Sequence, residues 1–181
     1  MTSSVQVFTR YNQGIKVFIE TGCWKGDGVE RALLSGFEQV YTCDINPDFI
    51  SDAREKFKGK NVIAEVEESQ VFLEKVLSEI NEKVMIFLDA HFMPFDETRQ
   101  DLGFGPISVK EGIDPCPLMK ELEIIKNHSI KDHVILIDDF QCFETWMFDY
   151  LKLDDVIDFV KTINPNYKHQ LIGNVLCFKV Y

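Results

Sequence analysis

We predict that the 181-residue chain folds as an α/β protein with a doubly wound, mostly parallel seven-stranded sheet. Two observations predict this fold. Short runs rich in β-branched and aromatic residues alternate with segments whose apolar residues recur at helical spacing, which is typical of consecutive βαβ units. In addition, only Gly173 and Asn174 separate the last two strand-like runs. A turn this short indicates a hairpin, so the final strand should run antiparallel to its neighbour.

The predicted strands are short runs, and the central ones are the most apolar. Residues 84–88 (VMIFL) are almost wholly apolar, as expected for a strand that helices cover on both faces. The seven predicted strands are 15–19, 39–43, 61–64, 84–88, 133–137, 168–172 and 175–180.

The segments between these strands carry capping residues and apolar residues at helical spacing, which predict helices. Asn46 before Pro47 predicts a helix start, because Asn is a favoured cap and Pro is favoured at the first helical position. Ser69 is expected to cap a second helix, whose apolar residues recur up to Ile80. The predicted helices are 26–34, 47–57, 69–80, 117–126 and 154–163.

Residues 92–116 show no clear period and are rich in Pro, Gly and Phe. Loops this long are unusual in compact domains and are often lids or binding loops. We therefore expect a single domain over residues 1–181, with residues 92–116 as an acceptor or lid loop. The short segment before the first predicted strand is expected to carry no helix.

Composition and charge exclude several classes of protein. No apolar run approaches the roughly 20 residues of a membrane span, and the first ten residues lack the apolar stretch of a signal peptide. The net charge of -11 argues against nucleic acid as a partner, because phosphate backbones bind through clustered Lys and Arg. The five cysteines are widely spaced and odd in number, which favours reduced thiols and a cytoplasmic location.

Ligands of open parallel sheets bind at the carboxyl ends of the strands. Residues 20–28 (ETGCWKGDG) follow the first predicted strand, and Gly22, Gly26 and Gly28 would let the backbone turn tightly and approach a ligand. The spacing is neither Gly-x-Gly-x-x-Gly nor a phosphate-binding loop. A plain glycine-rich turn is the alternative interpretation.

Acidic residues follow the next two strands. Asp44 ends the second strand, where a carboxylate can bind a ribose diol, although an Asp there could also cap a helix or lie in a solvated turn. Glu67, Glu68 and Ser69 follow the third strand, and we interpret them either as an adenine-side loop or as a simple helix start.

Carboxylates also follow the two central strands. Asp89 ends one strand, and Asp138 and Asp139 end the other, so all three should meet at one edge of the sheet. Such a cluster favours a bound cation, and oxygen ligands suit Mg²⁺, with Mn²⁺ or Ca²⁺ as substitutes. The two neighbouring acids converge only if the strand has ended at Asp138, and either could instead cap a turn. His91 is either a general base or a hydrogen-bonded loop residue.

Together these residues resemble the class I, Rossmann-like methyltransferases that use S-adenosylmethionine. Residues 20–26 are similar to the Glu-x-Gly-x-Trp-x-Gly form of the metal-dependent sugar O-methyltransferases of the macrocin type. The resemblance extends over nearly the whole chain, since the element order and the final hairpin also match. It implies that S-adenosylmethionine is bound by Glu20, Thr21, Gly22, Cys23, Trp24, Gly26, Gly28, Asp44, Ile45, Glu68, Ser69 and Asp89.

The resemblance also implies that Asp89, Asp138 and Asp139 hold Mg²⁺ or Mn²⁺. In the mechanism that we expect from these residues, His91 or Asp89 accepts the acceptor's proton. The expected acceptor is a small molecule, a sugar or glycan hydroxyl, with no nucleic acid or membrane partner. Two departures are evident. The Ala-His-Phe sequence after Asp89 differs from the usual continuation in that subgroup. The chain also starts almost at the first strand, without the amino-terminal helices that often cap the acceptor site. Either residues 92–116 cap this site, or the chain is a module of a longer polypeptide.

Three other functions fit the same residues. One is a metal-independent methyltransferase in which His91 is the base and the carboxylates orient the acceptor. Another is a nucleotide- or NAD-binding oxidoreductase module, which would need a tighter glycine turn. The last is a catalytically silent methyltransferase-like domain that serves as a binding module.

Overall fold

The computed structural model describes residues 4–91 and 116–181. Seven strands form one sheet in these two segments. They are β1 (Val17–Thr21), β2 (Gln39–Asp44), β3 (Val62–Val66), β4 (Met85–Leu88), β5 (Val134–Ile137), β6 (Tyr167–Ile172) and β7 (Val175–Val180). Their order is β3-β2-β1-β4-β5-β7-β6, and only the pairs that involve β7 are antiparallel. The predicted fold class is confirmed.

Helices cover both faces of this sheet. They are α1 (Ser4–Asn12), α2 (Asp27–Leu34), α3 (Pro47–Lys56), α4 (Ser69–Glu79), α5 (Leu118–Asn127) and α6 (Leu153–Ile163). One apolar cluster joins α1, α2 and α3 to one face, and a second joins α4, α5 and α6 to the other. Neighbouring residues of β4 alternate between the two clusters, with Ile86 in one and Phe87 in the other. This alternation explains why the central strands are apolar throughout.

Helix α1 was not expected from the sequence. Its apolar residues Val7, Phe8 and Tyr11 are buried, but they give only one turn of helical period. The Phe8 ring packs 4.8 Å from the Phe18 ring and 5.1 Å from the Phe87 ring, measured between centroids. Packing on the sheet therefore stabilises a helix whose local sequence pattern is weak.

Two predicted boundaries differ in informative ways. Asn46 caps α3 as expected, since its side chain accepts a hydrogen bond from the Asp48 N–H at 2.9 Å. Ser69 is instead the first residue of α4, and the extended residue before it, Glu68, is the cap. Strand β1 continues past Ile19 to Thr21, because its last residues still pair with β2 and β4.

The predicted lid at 92–116 lies outside the described residues, apart from Cys116. All five cysteines fall within the described ranges, and each is a free thiol. Among the described helices, none has the length and apolar character that crossing a lipid bilayer requires.

Candidate active site at the carboxyl edge of the sheet

The loop after β1 makes a tight turn over the end of β2. The N–H groups of Gly22 and Cys23 both donate to the Cys43 carbonyl, at 3.0 and 2.8 Å. Gly22 and Gly26 adopt positive φ angles of 87° and 75°, and Trp24 has a φ of 43°. Gly22 and Gly26 are favoured at these positions, because a left-handed backbone is sterically unfavourable for residues that have a Cβ. The predicted tight turn is thus present, directly before helix α2.

The three glycines make room for protein atoms. A Cβ on Gly22 would lie 2.6 Å from the Asp89 carbonyl oxygen, and one on Gly28 would lie 1.7 Å from Glu20 Oε1. A Cβ on Gly26 would come within 2.7 Å of the Phe57 ring. The glycines were expected to admit a ligand, whereas in the structure the space beside each of them is filled by the chain itself.

Glu20 lies beneath this loop and is only 1% exposed. Its Oε2 accepts a hydrogen bond from the Thr42 hydroxyl at 2.6 Å. Burial raises the pKa of Glu20 to about 8, against the lowering effect of the Thr42 hydrogen bond. The two oxygens of the carboxyl face Thr42 in β2 and Gly28 in α2.

Asp44 ties the end of β2 to the loop after β1. Its Oδ2 accepts from the Trp24 N–H and its Oδ1 accepts from the Asn46 N–H, both at 2.9 Å. Burial raises the pKa of the Asp44 carboxyl, although these backbone donors act in the opposite direction. Each carboxylate oxygen has a second lone pair. The geometry thus combines a structural role for Asp44 with the capacity to accept a further hydrogen bond from a ligand.

The remaining residues of the predicted cofactor set lie around this turn and at the end of β3. Thr21 and Cys23 are buried, and Ile45 is 37% exposed beside Asp44. In the described part of the chain, the Thr21 hydroxyl is a buried polar group with no hydrogen-bond partner. At the end of β3, Glu68 Oε2 accepts from the Gln70 side chain at 2.6 Å, and the Ser69 hydroxyl donates to the same side chain.

The ends of β4 and β5 bring Asp89, His91 and Asp139 together. One ligand atom from each of these side chains lies within 4.8 Å of the others. Burial, reinforced by the neighbouring Asp138 carboxyl, raises the pKa of Asp89 well above its ordinary range. Two carboxylates and an imidazole at this spacing could hold a divalent cation.

Asp138 does not belong to this group of three, although it was predicted as a metal ligand. Strand β5 ends at Ile137, so the two acids are outside the strand, as their convergence required. However, the Asp138 Oδ1 accepts the N–H of Asp139 at 2.8 Å. The Asp139 backbone is left-handed, with φ 51° and ψ 47°, and Asp138 acts on Asp89 through its charge.

Asp139 and His91 form a direct pair. His91 Nε2 lies 2.8 Å from Asp139 Oδ2, and this hydrogen bond lowers the pKa of Asp139 despite its partial burial. An ionised carboxylate only accepts hydrogen bonds, so Nε2 of a neutral His91 carries the proton and Nδ1 carries the lone pair. The Phe148 ring lies edge-on to the imidazole at 5.3 Å between centroids. His91 is therefore held in orientation from two sides.

A small cleft opens beside this pair, and two of its residues were not found from the sequence. Phe148 packs against His91, and Glu121 is a carboxyl only 1% exposed. A signal for Glu121 did exist, since it occupies an inward position of α5 together with Leu122. The cleft is lined by Leu88, Asp89, Ala90, His91, Cys116, Leu118, Glu121, Ile137 and Phe148.

Comparison with known proteins is informative only at the level of structure. No family model and no curated protein matches the sequence. An O-methyltransferase from Bacillus cereus, solved in complex with SAH, has a TM-score of 0.59 at 14% identity over 100% of this chain and 83% of that chain. The N-methyltransferase NodS from Bradyrhizobium japonicum WM9 has a TM-score of 0.57 at 10% identity, over 98% and 92% of the two chains. An rRNA methylase from Streptococcus thermophilus also has a TM-score of 0.57 at 10% identity, over 98% and 95%.

The chain has the Rossmann-like methyltransferase fold. The strand order, the antiparallel β7 and the helices on both faces agree with that fold. Because folds host many functions, the chemistry of this chain has to be argued from the residues at its own sheet edge.

Proposed function

We propose that the protein is an S-adenosylmethionine-dependent O-methyltransferase acting on a hydroxyl of a small molecule. One observation carries the proposal: the Asp89, His91 and Asp139 cluster lies directly beside the turn after β1, with Gly22 packed on the Asp89 backbone. A turn that can bind the donor and a group that can accept a proton are thereby placed next to each other. In-line methyl transfer requires little beyond this positioning and an acceptor oxygen made nucleophilic.

The residues around the turn fit the donor. The Asp44 carboxylate, which already accepts from backbone N–H groups that include those of Trp24 and Asn46, would also accept from a ribose diol. The buried Thr21 hydroxyl is a further polar group that a bound donor would satisfy. S-adenosylmethionine supplies an electrophilic methyl group on a sulfonium. Glu20 contributes indirectly through its contacts with Thr42 in β2 and Gly28 at the start of α2.

His91 is the proposed proton acceptor. Its Nε2 donates to Asp139, so Nδ1 is the basic nitrogen, and the Asp139 carboxylate stabilises the imidazolium that forms on proton uptake. Phe148 limits rotation of the ring. With the donor bound, the acceptor hydroxyl would lose its proton to His91 as its oxygen takes the methyl group. The methyl–sulfur bond of the donor would break in the same step and release S-adenosylhomocysteine, and Asp139 would remain ionised throughout.

A divalent metal is the alternative occupant of the same cluster. Asp89, His91 and Asp139 would hold it in place of the His91–Asp139 hydrogen bond, so His91 would then be a ligand and not the base. A donor set that includes an imidazole suits Mn²⁺ better than Mg²⁺, which prefers oxygen ligands. When bound, the cation would act as a Lewis acid that lowers the pKa of the acceptor hydroxyl. The similarity of residues 20–26 to the macrocin-type enzymes makes a sugar hydroxyl the first acceptor class to test.

The direct His91–Asp139 bond also supports a second candidate, a methyltransferase that needs no metal. In that case Asp139 orients His91, and Asp89 and Asp138 orient the acceptor. Activity that survives EDTA would favour this candidate, whereas loss of activity on chelation and its recovery with Mn²⁺ would favour the metal-assisted reaction.

Donor binding tests the proposal without knowledge of the acceptor. Calorimetry should show one site for S-adenosylhomocysteine, with no comparable binding of NAD. Incubation with methyl-labelled S-adenosylmethionine and a panel of sugars and catechol-like diols should then label a hydroxyl. Binding of NAD in place of S-adenosylhomocysteine would indicate an oxidoreductase module instead. Donor binding without transfer to any acceptor would indicate a silent binding domain.

A further inference from the structure

The turn between β6 and β7 reaches the proposed site from the opposite end of the sequence. Strand β7 runs antiparallel to β5, and Leu176 pairs with Ile137 at the end of β5. The two-residue turn of Gly173 and Asn174 therefore lies next to the acids that follow β5. Gly173 supplies the positive φ of 63° that this turn needs, which leaves Asn174 with an unstrained backbone.

Asn174 contacts the segment after β5 at two points. Its Nδ2 donates to Asp139 Oδ1 at 2.8 Å, and its carbonyl oxygen accepts the N–H of Phe140 at 3.0 Å. These contacts hold both the side chain of Asp139 and the backbone that follows it.

The contacts fix which Asp139 oxygen faces His91. Gln141 and Asn174 both donate to Oδ1 at 2.8 Å, while Oδ2 lies 2.8 Å from His91 Nε2. Asp139 is in the left-handed region, and its side chain makes no cap hydrogen bond to the short helix that follows it. Gln141 is exposed, so its hydrogen bond competes with water. The partly buried bond from Asn174 is thus the stronger restraint.

We propose that Asn174 is a positioning residue that orients the Asp139 carboxylate and thereby keeps His91 in its Nε2–H tautomer. This inference rests on the proposed function for its consequence, since the tautomer decides which ring nitrogen can take the acceptor's proton. The hydrogen-bond arrangement itself can be tested without substrate.

Three substitutions distinguish the hydrogen bond donated by the Asn174 side-chain amide from the packing of that side chain. Asn174→Ala removes the donor, and Asn174→Asp preserves the shape but replaces the donor with an acceptor beside Asp139. Gln141→Ala is the matched control, because it removes the other donor to the same oxygen. The tautomer is read from the long-range ¹H–¹⁵N spectrum of metal-free protein labelled at its four histidines, recorded at alkaline pH. The signals of His91 are assigned as those that are lost in His91→Gln. Thermal unfolding reports whether each variant is folded.

In the wild type, we expect the Nε2–H tautomer of His91 to exceed the other by about tenfold or more, the effect of one charge-assisted hydrogen bond. Asn174→Ala should reduce this ratio several-fold, Asn174→Asp should reduce it further, and Gln141→Ala should leave it nearly unchanged. An unchanged tautomer in both Asn174 variants, or a milder effect of Asn174→Asp than of Asn174→Ala, would overturn the inference. S-adenosylhomocysteine binding should persist in all three variants. If the wild type itself does not bind S-adenosylhomocysteine, the proposed function is contradicted, but the tautomer measurement still tests the role of Asn174.

Discussion

The Asp89 carbonyl oxygen occupies the space beside Gly22, 2.6 Å from the position that a Cβ would take. The contact is between backbone atoms, and the Asp89 N–H also donates to the Thr21 carbonyl at 3.0 Å. The turn after β1 is thereby packed against the end of β4. The proposed donor turn and the acidic cluster are therefore two parts of one packed unit, and a change in one should be measurable in the other.

Gly22→Ala is the direct test of this contact. The new Cβ would have to displace the Asp89 backbone, and alanine would also be strained at a φ of 87°. We expect a loss of stability of about 3 kcal/mol or more and the loss of S-adenosylhomocysteine binding. Chemical denaturation and calorimetry measure these two effects.

Gly36→Ala is the matched control, since Gly36 has the same φ of 87° but open space around it. It should cost only the backbone strain, about 1 kcal/mol, and should leave ligand binding intact. Equal effects of the two substitutions would mean that the Gly22–Asp89 contact has no special role.

The composition of the acidic cluster predicts which acids bind a metal. Asp139→Asn should weaken Mn²⁺ binding by about 100-fold, whereas Asp138→Asn should change it little, because Asp138 lies outside the group of three. Electron paramagnetic resonance titration of free Mn²⁺ measures both affinities. S-adenosylhomocysteine binding should be retained in both variants. If Asp138→Asn abolishes Mn²⁺ binding as well, the ligand set expected from the sequence is the right one.

Glu20→Gln should stabilise the protein increasingly as the pH rises. The pKa of Glu20 is raised from 4.5 to about 8 by burial, so the folded state holds a proton that the unfolded state releases. The stability that this proton provides is present below pH 4.5 and is lost as the pH rises through 8. Glutamine does not titrate, and the gain over the wild type should approach about 5 kcal/mol at alkaline pH.

Urea denaturation at a series of pH values measures this gain. Glu38→Gln is the control, because the Glu38 side chain is 65% exposed, and it should show no such rise. A stability difference between Glu20→Gln and the wild type that does not depend on pH would show that Glu20 is ionised in the folded protein at neutral pH.

His133 should destabilise the protein in acid. It is fully buried, its Nδ1 accepts the Val84 N–H at 3.2 Å, and its Nε2 lies 2.8 Å from His128 Nδ1. Burial, with His128 and with Lys83 and Lys131 nearby, lowers the pKa of His133 to about 4, and Asp132 opposes this only in part. The unfolded chain therefore binds a proton between pH 6.5 and 4 that the folded chain does not.

The stability that depends on neutral His133 is present above pH 6.5 and is lost as the pH falls towards 4. The stability advantage of the wild type over His133→Asn should accordingly shrink by about 3 kcal/mol across this interval. Urea denaturation of both proteins measures it, with the exposed His169→Asn as the control. An advantage that stays constant with pH would contradict the assignment of an acceptor role to Nδ1.

The regular part of the fold follows from local sequence patterns. The alternation of strands and helices, the hairpin at Gly173 and Asn174, and the cap at Asn46 each depend on a few neighbouring residues, so they could be predicted. The ends of the strands were less certain, since pairing with two neighbours extends β1 as far as Thr21. Helix α1 could not be predicted because its stability comes from aromatic packing on the sheet.

The sequence by itself determined that acidic residues follow β2, β4 and β5, and that parallel strands bring these ends to one edge. Only the tertiary structure decided which side chains meet there. Asp139 pairs with His91 and forms a group of three with Asp89 that does not include Asp138. Protein atoms fill the space beside Gly22, Gly26 and Gly28, and Asn174 contacts Asp139 from the turn between β6 and β7. These relationships depend on the sign of φ at loop residues and on contacts between segments that are distant in the sequence. Neither produces a periodic pattern in the sequence.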